Sequence, residues 1–480
     1  MRLLYRPVVL CVGGLIASSL GACATSTSDD GDEVSQIEQD SHCGGGQGQD
    51  LDGFTHQEWD TLHTLSPLPD LPDDPTNRYA DSSAAARLGQ ELFFDPKMSG
   101  AIQTGTHAQG QLGHIGEVNK IACRNCHMPE STWLIDIRSN NGGPIPNATA
   151  LGSLWMSRNV SSIVNTVFYV NQHGGAHWRE NDGYSDSEWF DAQSEPEGPP
   201  VQNGSRLQLA HLIFDHYRSD YNTAFPQYPL PTALSNLSRF PATGSPYTDI
   251  DNWNGMTAAD QAVVNRILVN YGKGMEAFLR HLVSRNAPFD RYVAGDSHAI
   301  SASAKRGLKL FIGDAHCVGC HNTPLLSDDD FHTIGLQIDT TLSPFAVPSE
   351  TGRNFNQSLI CDPSVAGADF NVNGPFSDDP HTHRDGTFCQ QIIPDGLWRT
   401  KTLRQIAETA PYFRDGQAAS LDDVIDFYNR GGDAPGTYLG TKEIHPLNLS
   451  HQDKADLKAF LQTLTGEQVP HQYLQDTHNP

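Results

Sequence analysis

The feature that most constrains this 480-residue chain is a five-residue pattern that occurs twice, Cys-x-x-Cys-His. It reads C-R-N-C-H at residues 123–127, the first motif, and C-V-G-C-H at residues 317–321, the second motif. A cysteine pair alone would suit a redox-active dithiol, half of a zinc site or, in an exported protein, a disulfide. Attachment of a c-type haem is the chemistry that uses all three residues, because both thiols bind the porphyrin and the histidine binds the iron.

We therefore expect two covalently attached c-type haems, with a histidine on each iron. A zinc site is disfavoured because no second cysteine pair lies near either motif. The residues expected to carry the haems are Cys123, Cys126 and His127 in the first motif and Cys317, Cys320 and His321 in the second.

The N-terminus indicates export. Two arginines precede an apolar run over residues 8–20, which is typical of a secretory signal peptide. The run ends in Leu20-Gly-Ala-Cys23, which resembles the bacterial lipobox, so we expect residues 1–23 to be a lipoprotein signal peptide with lipidation at Cys23. An ordinary signal peptide cut elsewhere is the alternative. The expected location is the periplasmic side of a bacterial membrane, and Ala24 favours the outer membrane.

The remaining chain divides by composition. Residues 24–66 are predicted to be a disordered tether and linker, because the segment after the signal is polar, acidic and rich in glycine. Helical periodicity dominates beyond it and strand-like alternation is scarce. We predict an all-α fold of two cytochrome c-like domains with long loops, at residues 84–297 and 298–472, with an insertion at about 338–397 in the second.

Three helix starts are marked by capping residues. Thr257 precedes an apolar stripe at spacings of three and four residues that runs to Leu282. Ser420 and Ser450 each stand three residues before an aspartate, which resembles a capping box. We therefore predict helices that begin directly after these three residues.

The net charge of the chain limits the classes of molecule that it can bind. The chain has 57 acidic and 31 basic residues, a formal net charge of -26. Repulsion argues against nucleic acid and against anionic lipid, so we expect membrane contact through the lipid anchor only. A basic electron-transfer protein would be attracted, although acidity that merely keeps an exported protein soluble is an equal alternative.

Three further cysteines remain in the mature chain. Cys361 and Cys389 lie in the loop-rich insertion, and a disulfide between them is plausible in an oxidising compartment. Cys43, in the tether, could pair with either of them or stay a free thiol.

The order of short segments along residues 84–466 resembles the bacterial diheme cytochrome c peroxidase family, which includes the MauG-type enzymes. The matching segments are residues 88–100, 157–159, 288–292, 306–311, 323–328, 402–404, 409–412 and 426–432, together with both motifs. The resemblance implies a diheme oxidoreductase that reduces hydrogen peroxide at the N-terminal haem. Electrons would come through the C-terminal haem from a small cytochrome or another protein. An exported diheme electron-transfer protein without peroxidase activity is the alternative.

The resemblance also implies individual roles. His127 and His321 would be the proximal iron ligands, and a tryptophan would lie between the haems. Trp178 is our candidate for that tryptophan, with Trp133, Trp155 and Trp189 as competitors. Calcium is a further possible cofactor, implied by the resemblance alone.

Three departures from the family pattern matter. No methionine follows residue 275, so Tyr412 is the candidate sixth ligand of the C-terminal haem. No histidine closely follows the first motif, which favours a five-coordinate N-terminal haem, although His107, His114 or His173 could still reach its iron.

The third departure concerns the residue that assists peroxide cleavage, whose position falls near Ser205. Peroxide cleavage needs a group that moves a proton between the two oxygens. Glu197 is our catalytic candidate, and Glu180, Glu188 and Glu195 are its alternatives. An acid in such a loop is more often a solvated surface residue, which is the alternative for each of the four.

Overall fold

A computed structural model describes the protein over residues 52–103, 112–135, 152–154, 158–169, 188–337, 351–354, 370, 374–380 and 391–478. The predicted signal peptide, Cys23, Trp178, Cys361 and Cys389 lie outside these residues.

Helices dominate the described residues, in agreement with the all-α prediction. The α-helices are α1 (His56–Leu65), α2 (Ser83–Phe94), α3 (Glu188–Ser194), α4 (Arg206–His216), α5 (Arg218–Ala224), α6 (Ile250–Asn254), α7 (Ala258–Leu279), α8 (Pro288–Val293), α9 (Ala302–Ile312), α10 (Leu421–Asn429) and α11 (His451–Leu461). Single 3-10 turns cover Pro96–Met98, Cys123–Asn125, Pro129–Ser131, Thr166–Tyr169, Thr232–Ser235, Cys317–Gly319, Ile406–Glu408, Gln462–Leu464 and His471–Tyr473.

The sheet of the described residues is minimal. Strands β1 (Phe331–His332) and β2 (Trp398–Arg399) pair antiparallel, with Phe331 opposite Arg399 and His332 opposite Trp398. No helix within the described part of the chain is long and apolar enough to cross a bilayer.

The three predicted helix starts are confirmed. Thr257 is the N-cap of α7, and its side chain accepts a hydrogen bond from the backbone N–H of Asp260. Ser420 and Ser450 are the N-caps of α10 and α11, and each forms a complete capping box with the aspartate three residues later. These bonds satisfy N–H groups that have no partner inside the helix.

The predicted extent of the disordered linker is wrong at its C-terminal end. Residues 56–65 form α1, which begins at a capping box between Thr55 and Glu58. Leu62 and Leu65 are fully buried in a cluster formed mainly by α8, α9, α10 and α11. A polar composition therefore did not prevent a short helix, because one apolar stripe gains burial against the C-terminal half of the chain.

Two hydrophobic clusters form the core. The N-terminal cluster combines residues of α2, α4, α5 and α7, and the C-terminal cluster combines α1, α8, α9, α10 and α11. Helix α7 is the centre of the first, since every residue from Ile267 to Leu279 is buried.

Glycines allow the helices of these clusters to approach closely. A Cβ atom at Gly89 of α2 would lie 2.1 Å from the carbonyl oxygen of Gly274 in α7. A Cβ at Gly272 would lie 2.2 Å from the carbonyl oxygen of Trp189 in α3. Helix α7 is thus in backbone contact with α2 on one face and with α3 on another.

Candidate functional site

One cavity contains both cysteine motifs. Its volume is about 1530 Å³, and its wall includes residues from both hydrophobic clusters. This exceeds the roughly 300–1,000 Å³ typical of a pocket for one small molecule. The cysteines and histidine of each motif line it: Cys123, Cys126, His127, Cys317, Cys320 and His321.

The first motif is a tight turn that directs its three functional side chains to one side. Residues 123–125 form a 3-10 turn, and the backbone N–H of His127 donates to Cys123 O at 2.9 Å. The side chain of Asn125 closes the turn by accepting a bond from the N–H of Ala122 at 2.7 Å. The His127 ring is oriented by a 3.2 Å bond between Nδ1 and Leu134 O.

The second motif repeats this geometry. Residues 317–319 form a 3-10 turn, and the N–H of His321 donates to Cys317 O at 3.0 Å. The His321 ring bonds Leu326 O through Nδ1 at 2.6 Å. Desolvation lowers the pKa of His321, which favours the neutral imidazole that binds metals. A carbonyl bonded to Nδ1–H fixes the tautomer in which Nε2 carries the lone pair.

The thiols do not resemble those of a redox-active dithiol. Desolvation raises the pKa of Cys123 and of Cys317 to about 12 in each case, whereas reactive cysteines have a lowered pKa. The four cysteines of the motifs form no disulfide. Two turns that present thiols and an oriented imidazole to a wide cavity fit covalent haem.

A separate metal site at the second motif is a poorer fit. Cys320, Asp328 and His332 are the one group of three metal-binding side chains that lies close enough together within the described ranges. Thioether formation would consume the Cys320 thiol. The His332 ring also bonds carboxylates through both nitrogens, Glu443 at 2.7 Å and Asp328 at 2.9 Å, and so has its own partners.

Tyr412 lines the same cavity and is 7% exposed. Its hydroxyl donates to Ile406 O at 2.9 Å. Desolvation raises the pKa of Tyr412 to about 12, so the phenol is protonated in this arrangement. Binding an iron through this oxygen would require loss of that proton and of the bond to Ile406.

Glu197 also lines the cavity, but its carboxylate is held by one arginine. Oε1 accepts from the backbone N–H of Arg206 at 3.0 Å and from Nε at 2.8 Å, and Oε2 accepts from an Nη at 2.6 Å. Both residues are buried. Both oxygens of Glu197 are therefore engaged by Arg206, and neither is directed to a group of the first motif in this arrangement.

Two other acids of the cavity wall are Glu188 and Glu195. Glu195 lies close to the first motif, since its charge contributes to raising the pKa of both Cys123 and Tyr271. Ser205, where the pattern of segments placed the peroxide-cleaving acid, instead caps α4 by accepting a bond from the N–H of Gln208 at 3.2 Å.

The tryptophan candidates differ in their surroundings. Trp178 and Trp155 lie outside the described residues. Trp133 is buried in the N-terminal cluster. Trp189 has no exposed surface, and its indole N–H donates to the Thr76 hydroxyl at 2.9 Å.

Tyr169 is a cavity residue that the sequence patterns did not indicate. It is buried, and its hydroxyl accepts a bond from the backbone N–H of Thr402 at 3.1 Å. The guanidinium of Arg399 lies over its ring at 4.4 Å, and desolvation raises the pKa of Tyr169 to about 12. Asn159 likewise reaches the C-terminal half, donating through Nδ2 to Pro411 O at 2.7 Å. Both residues bond to partners that are far away in sequence, so no local pattern of residues could have predicted these contacts.

Comparison with known proteins gives consistent matches. A family model described as di-haem cytochrome c peroxidase matches residues 83–298. The chain is 30% identical over 412 residues to the cytochrome-c peroxidase IdrP1 of Denitromonas iodatirespirans, a match that covers 84% of this chain and 86% of that protein. It is 32% identical over 383 residues to the methylamine utilization protein MauG of Methylophilus methylotrophus, covering 79% and 82%.

A solved structure shares the fold. The crystal structure of a MauG-like protein associated with microbial copper homeostasis superimposes with a TM-score of 0.54, over 85% of this chain and 98% of that one, at 23% identity. At this identity the likeness concerns the architecture alone.

Proposed function

Since this chain belongs to the di-haem cytochrome c peroxidase family and is an oxidoreductase, we propose that it reduces hydrogen peroxide at the site of the first motif. Electrons would enter through the site of the second motif from a small cytochrome or an oxidisable protein. The observation that supports cooperation between two haem sites is the cavity lined by both motifs, which brings the two sites together.

The cysteines of each motif would hold a haem, and His127 and His321 would each offer Nε2 to the iron. When bound, haem supplies an iron that binds peroxide and exchanges electrons with it. The bonds to Leu134 and Leu326 keep both rings in the required orientation. Tyr412 is our proposed further ligand at the second site, because it reaches the cavity and no methionine is available there.

Proton movement near the first site is assigned to Glu195 rather than to Glu197. Glu195 lines the cavity near Cys123, whereas both oxygens of Glu197 are held by Arg206. The role of Trp178 as the connection between the haems remains a proposal from the family resemblance.

Three further proposals concern the setting. We propose that the chain is lipid-anchored through Cys23 on the periplasmic side of a bacterial membrane. Calcium is proposed as an additional ion, and elemental analysis of the purified holoprotein tests it. The acidic net charge of -26 favours a basic protein donor over a nucleic acid.

Rapid mixing of the purified holoprotein with hydrogen peroxide tests the function. We expect two haems per chain and a change of the haem spectrum on mixing, followed by its reversal when a reduced cytochrome is added. A protein that carries two haems but whose spectrum peroxide leaves unchanged would favour the alternative, a simple electron-transfer protein. One haem per chain, in a host that matures such proteins, would overturn the assignment of the motifs.

Paired variants test the roles of the acids. Glu195→Gln should slow the peroxide reaction by roughly 10²-fold or more, the scale of general acid–base catalysis. Glu197→Gln should mainly reduce stability, because it weakens a buried ion pair. The reverse pattern would restore Glu197 as the proton-transfer group.

Tyr412→Phe tests the proposed iron ligand at the second site. This variant should change the spectrum of one haem, and an unchanged spectrum would exclude Tyr412 as a ligand.

A further inference from the structure

Three carboxyl groups of the N-terminal half are buried, and one of them, Glu188, lines the cavity. Asp74 belongs to the segment before α2, Glu276 to α7 and Glu188 to the first turn of α3. Their exposed fractions are 6%, 0% and 1%. Ionising a carboxyl group that is buried away from water costs free energy, so three buried acids in one region need a physical explanation.

Asp74 and Glu276 are held by two consecutive residues, Thr76 and Asn77. Asp74 Oδ1 accepts bonds from the N–H and hydroxyl of Thr76, at 2.8 and 2.6 Å, and Glu276 Oε2 accepts one from Asn77 at 2.9 Å. Among the described residues, no N–H or O–H group bonds Asp74 Oδ2 or Glu276 Oε1. The Asp74 carboxyl group raises the pKa of Glu276 through its charge and through a side-chain hydrogen bond, and such a bond would need a proton on one of the two groups.

Burial also favours the protonated form of Glu276. Burial raises the pKa of Glu276 well above its ordinary value of 4.5, and Asp74 raises it further. Lys273, a cation one turn before Glu276 on α7, is directed elsewhere: its ammonium donates to Asp378 at 2.7 Å and to Phe376 O at 2.8 Å. Asp378 also pairs with Arg78 at 2.6 Å.

Glu188 connects this pair to the cavity. Its side chain lines the cavity and lies close enough to raise the pKa of Glu276 electrostatically. The backbone explains this proximity, because the Trp189 carbonyl is in contact with Gly272, one helical turn before Glu276 on α7. The other end of the series reaches the surface at Asp74, whose neighbours Asp73 and Pro75 are exposed.

A cation site is a weaker interpretation of the three acids. A metal needs several ligand atoms close together, and the described residues offer such a group of three elsewhere, at Cys320, Asp328 and His332. A proton shared between Asp74 Oδ2 and Glu276 Oε1 would give both oxygens a hydrogen-bond partner without a bound ion.

We propose that Asp74, Glu276 and Glu188 form a proton relay that carries protons from the surface to the peroxide site. The proposal rests on the proposed function. Reduction of hydrogen peroxide breaks the O–O bond and forms new O–H bonds, so that one peroxide, two electrons from the protein donor and two protons give two waters. The relay supplies those protons to the cavity.

Steady-state turnover of the holoprotein tests the relay. Glu276→Gln keeps the side-chain shape and can accept the bond from Asn77, but it cannot exchange a proton. We expect its peroxide turnover to fall roughly tenfold or more, with an unchanged haem content and an unchanged KM for the donor. Asp74→Asn, near the surface, is a second variant with the same expected effect. Glu91→Gln is the matched control, a buried acid of α2 that does not line the cavity, and should retain wild-type turnover.

Infrared spectroscopy gives a readout that does not depend on turnover. The wild type should show the carbonyl band of a buried protonated carboxylic acid that shifts in deuterated water, and Glu276→Gln should lack it. A wild type inert to peroxide would overturn both the function and the relay. An active wild type whose Glu276→Gln and Asp74→Asn variants match Glu91→Gln would overturn the relay alone. A calcium ion bound by the wild type and lost in Glu276→Gln would also overturn it, in favour of a cation site.

Discussion

Replacing Glu276 by glutamine should remove a pH dependence from the stability of the folded protein. In the unfolded chain this side chain releases its proton near its ordinary pKa of 4.5. In the folded protein it is fully buried against Asp74 and Glu188, and its pKa lies well above that value. Folding therefore takes up one proton at every pH between the two values.

The sign and size of the effect follow from linkage. The folded state binds more protons than the unfolded state, so the free energy of unfolding falls as pH rises. For one proton the slope is about 1.4 kcal/mol per pH unit. The stabilisation of the protonated folded form is complete below pH 4.5 and is lost progressively up to the folded pKa. Glutamine does not titrate, so this contribution vanishes in Glu276→Gln.

Urea unfolding of the holoprotein, followed by far-ultraviolet circular dichroism at several pH values from about 5 to about 8, measures this slope. We subtract the free energy of unfolding of the wild type from that of Glu276→Gln. This difference should become more positive as the pH rises, because only the wild type loses stability through Glu276. Glu467→Gln, at an exposed position, is the control and should run parallel to the wild type. Parallel curves for Glu276→Gln and wild type would show that Glu276 is ionised in the folded protein and would refute the shared proton.

Two further predictions concern stability. Arg206→Gln should destabilise the protein by about 3 to 5 kcal/mol, because it leaves the Glu197 carboxylate buried without its cation, and urea unfolding would measure the loss. A loss below about 1 kcal/mol would mean that water reaches Glu197. Gly89→Ala should cost about 1 to 3 kcal/mol, because its Cβ would lie 2.1 Å from Gly274 O, whereas Gly255→Ala, at an exposed position where the nearest atom to its Cβ would be 3.2 Å away, should cost less. Equal effects of the two alanines would contradict a backbone contact between α2 and α7.

Features set by neighbouring residues could be predicted from the sequence. The N-caps at Thr257, Ser420 and Ser450 depend on a hydroxyl and an amide three positions away, so the pattern of residues contains the interaction. The shape of the two motifs is similarly local, because each turn closes through the N–H of its own histidine onto its own first cysteine. Helix-rich architecture followed from the period of the apolar residues.

Features that depend on distant partners could not be predicted. Polar composition placed residues 56–65 in a linker, and only packing against the C-terminal half makes them α1. Glu197 was a reasonable acid candidate, since nothing in the sequence indicates that the arginine nine residues later would hold it. The burial of Glu276 had no signal either, because the apolar stripe predicted one buried face of this helix, whereas the structure buries every residue of α7 from Ile267 to Leu279.

The two halves of the chain meet at the cavity, and this has a consequence for how the proposed reactants enter. Tyr169 and Asn159, both in the N-terminal half, bond backbone atoms of the segment 402–411 in the other half. The cavity that contains both motifs therefore requires the two halves to stay in contact. The proposed proton relay lies in the N-terminal half alone, on α7, on α3 and in the segment before α2. Protons would then arrive through one half and electrons through the other, so that variants of the relay should slow turnover without changing the affinity for the electron donor.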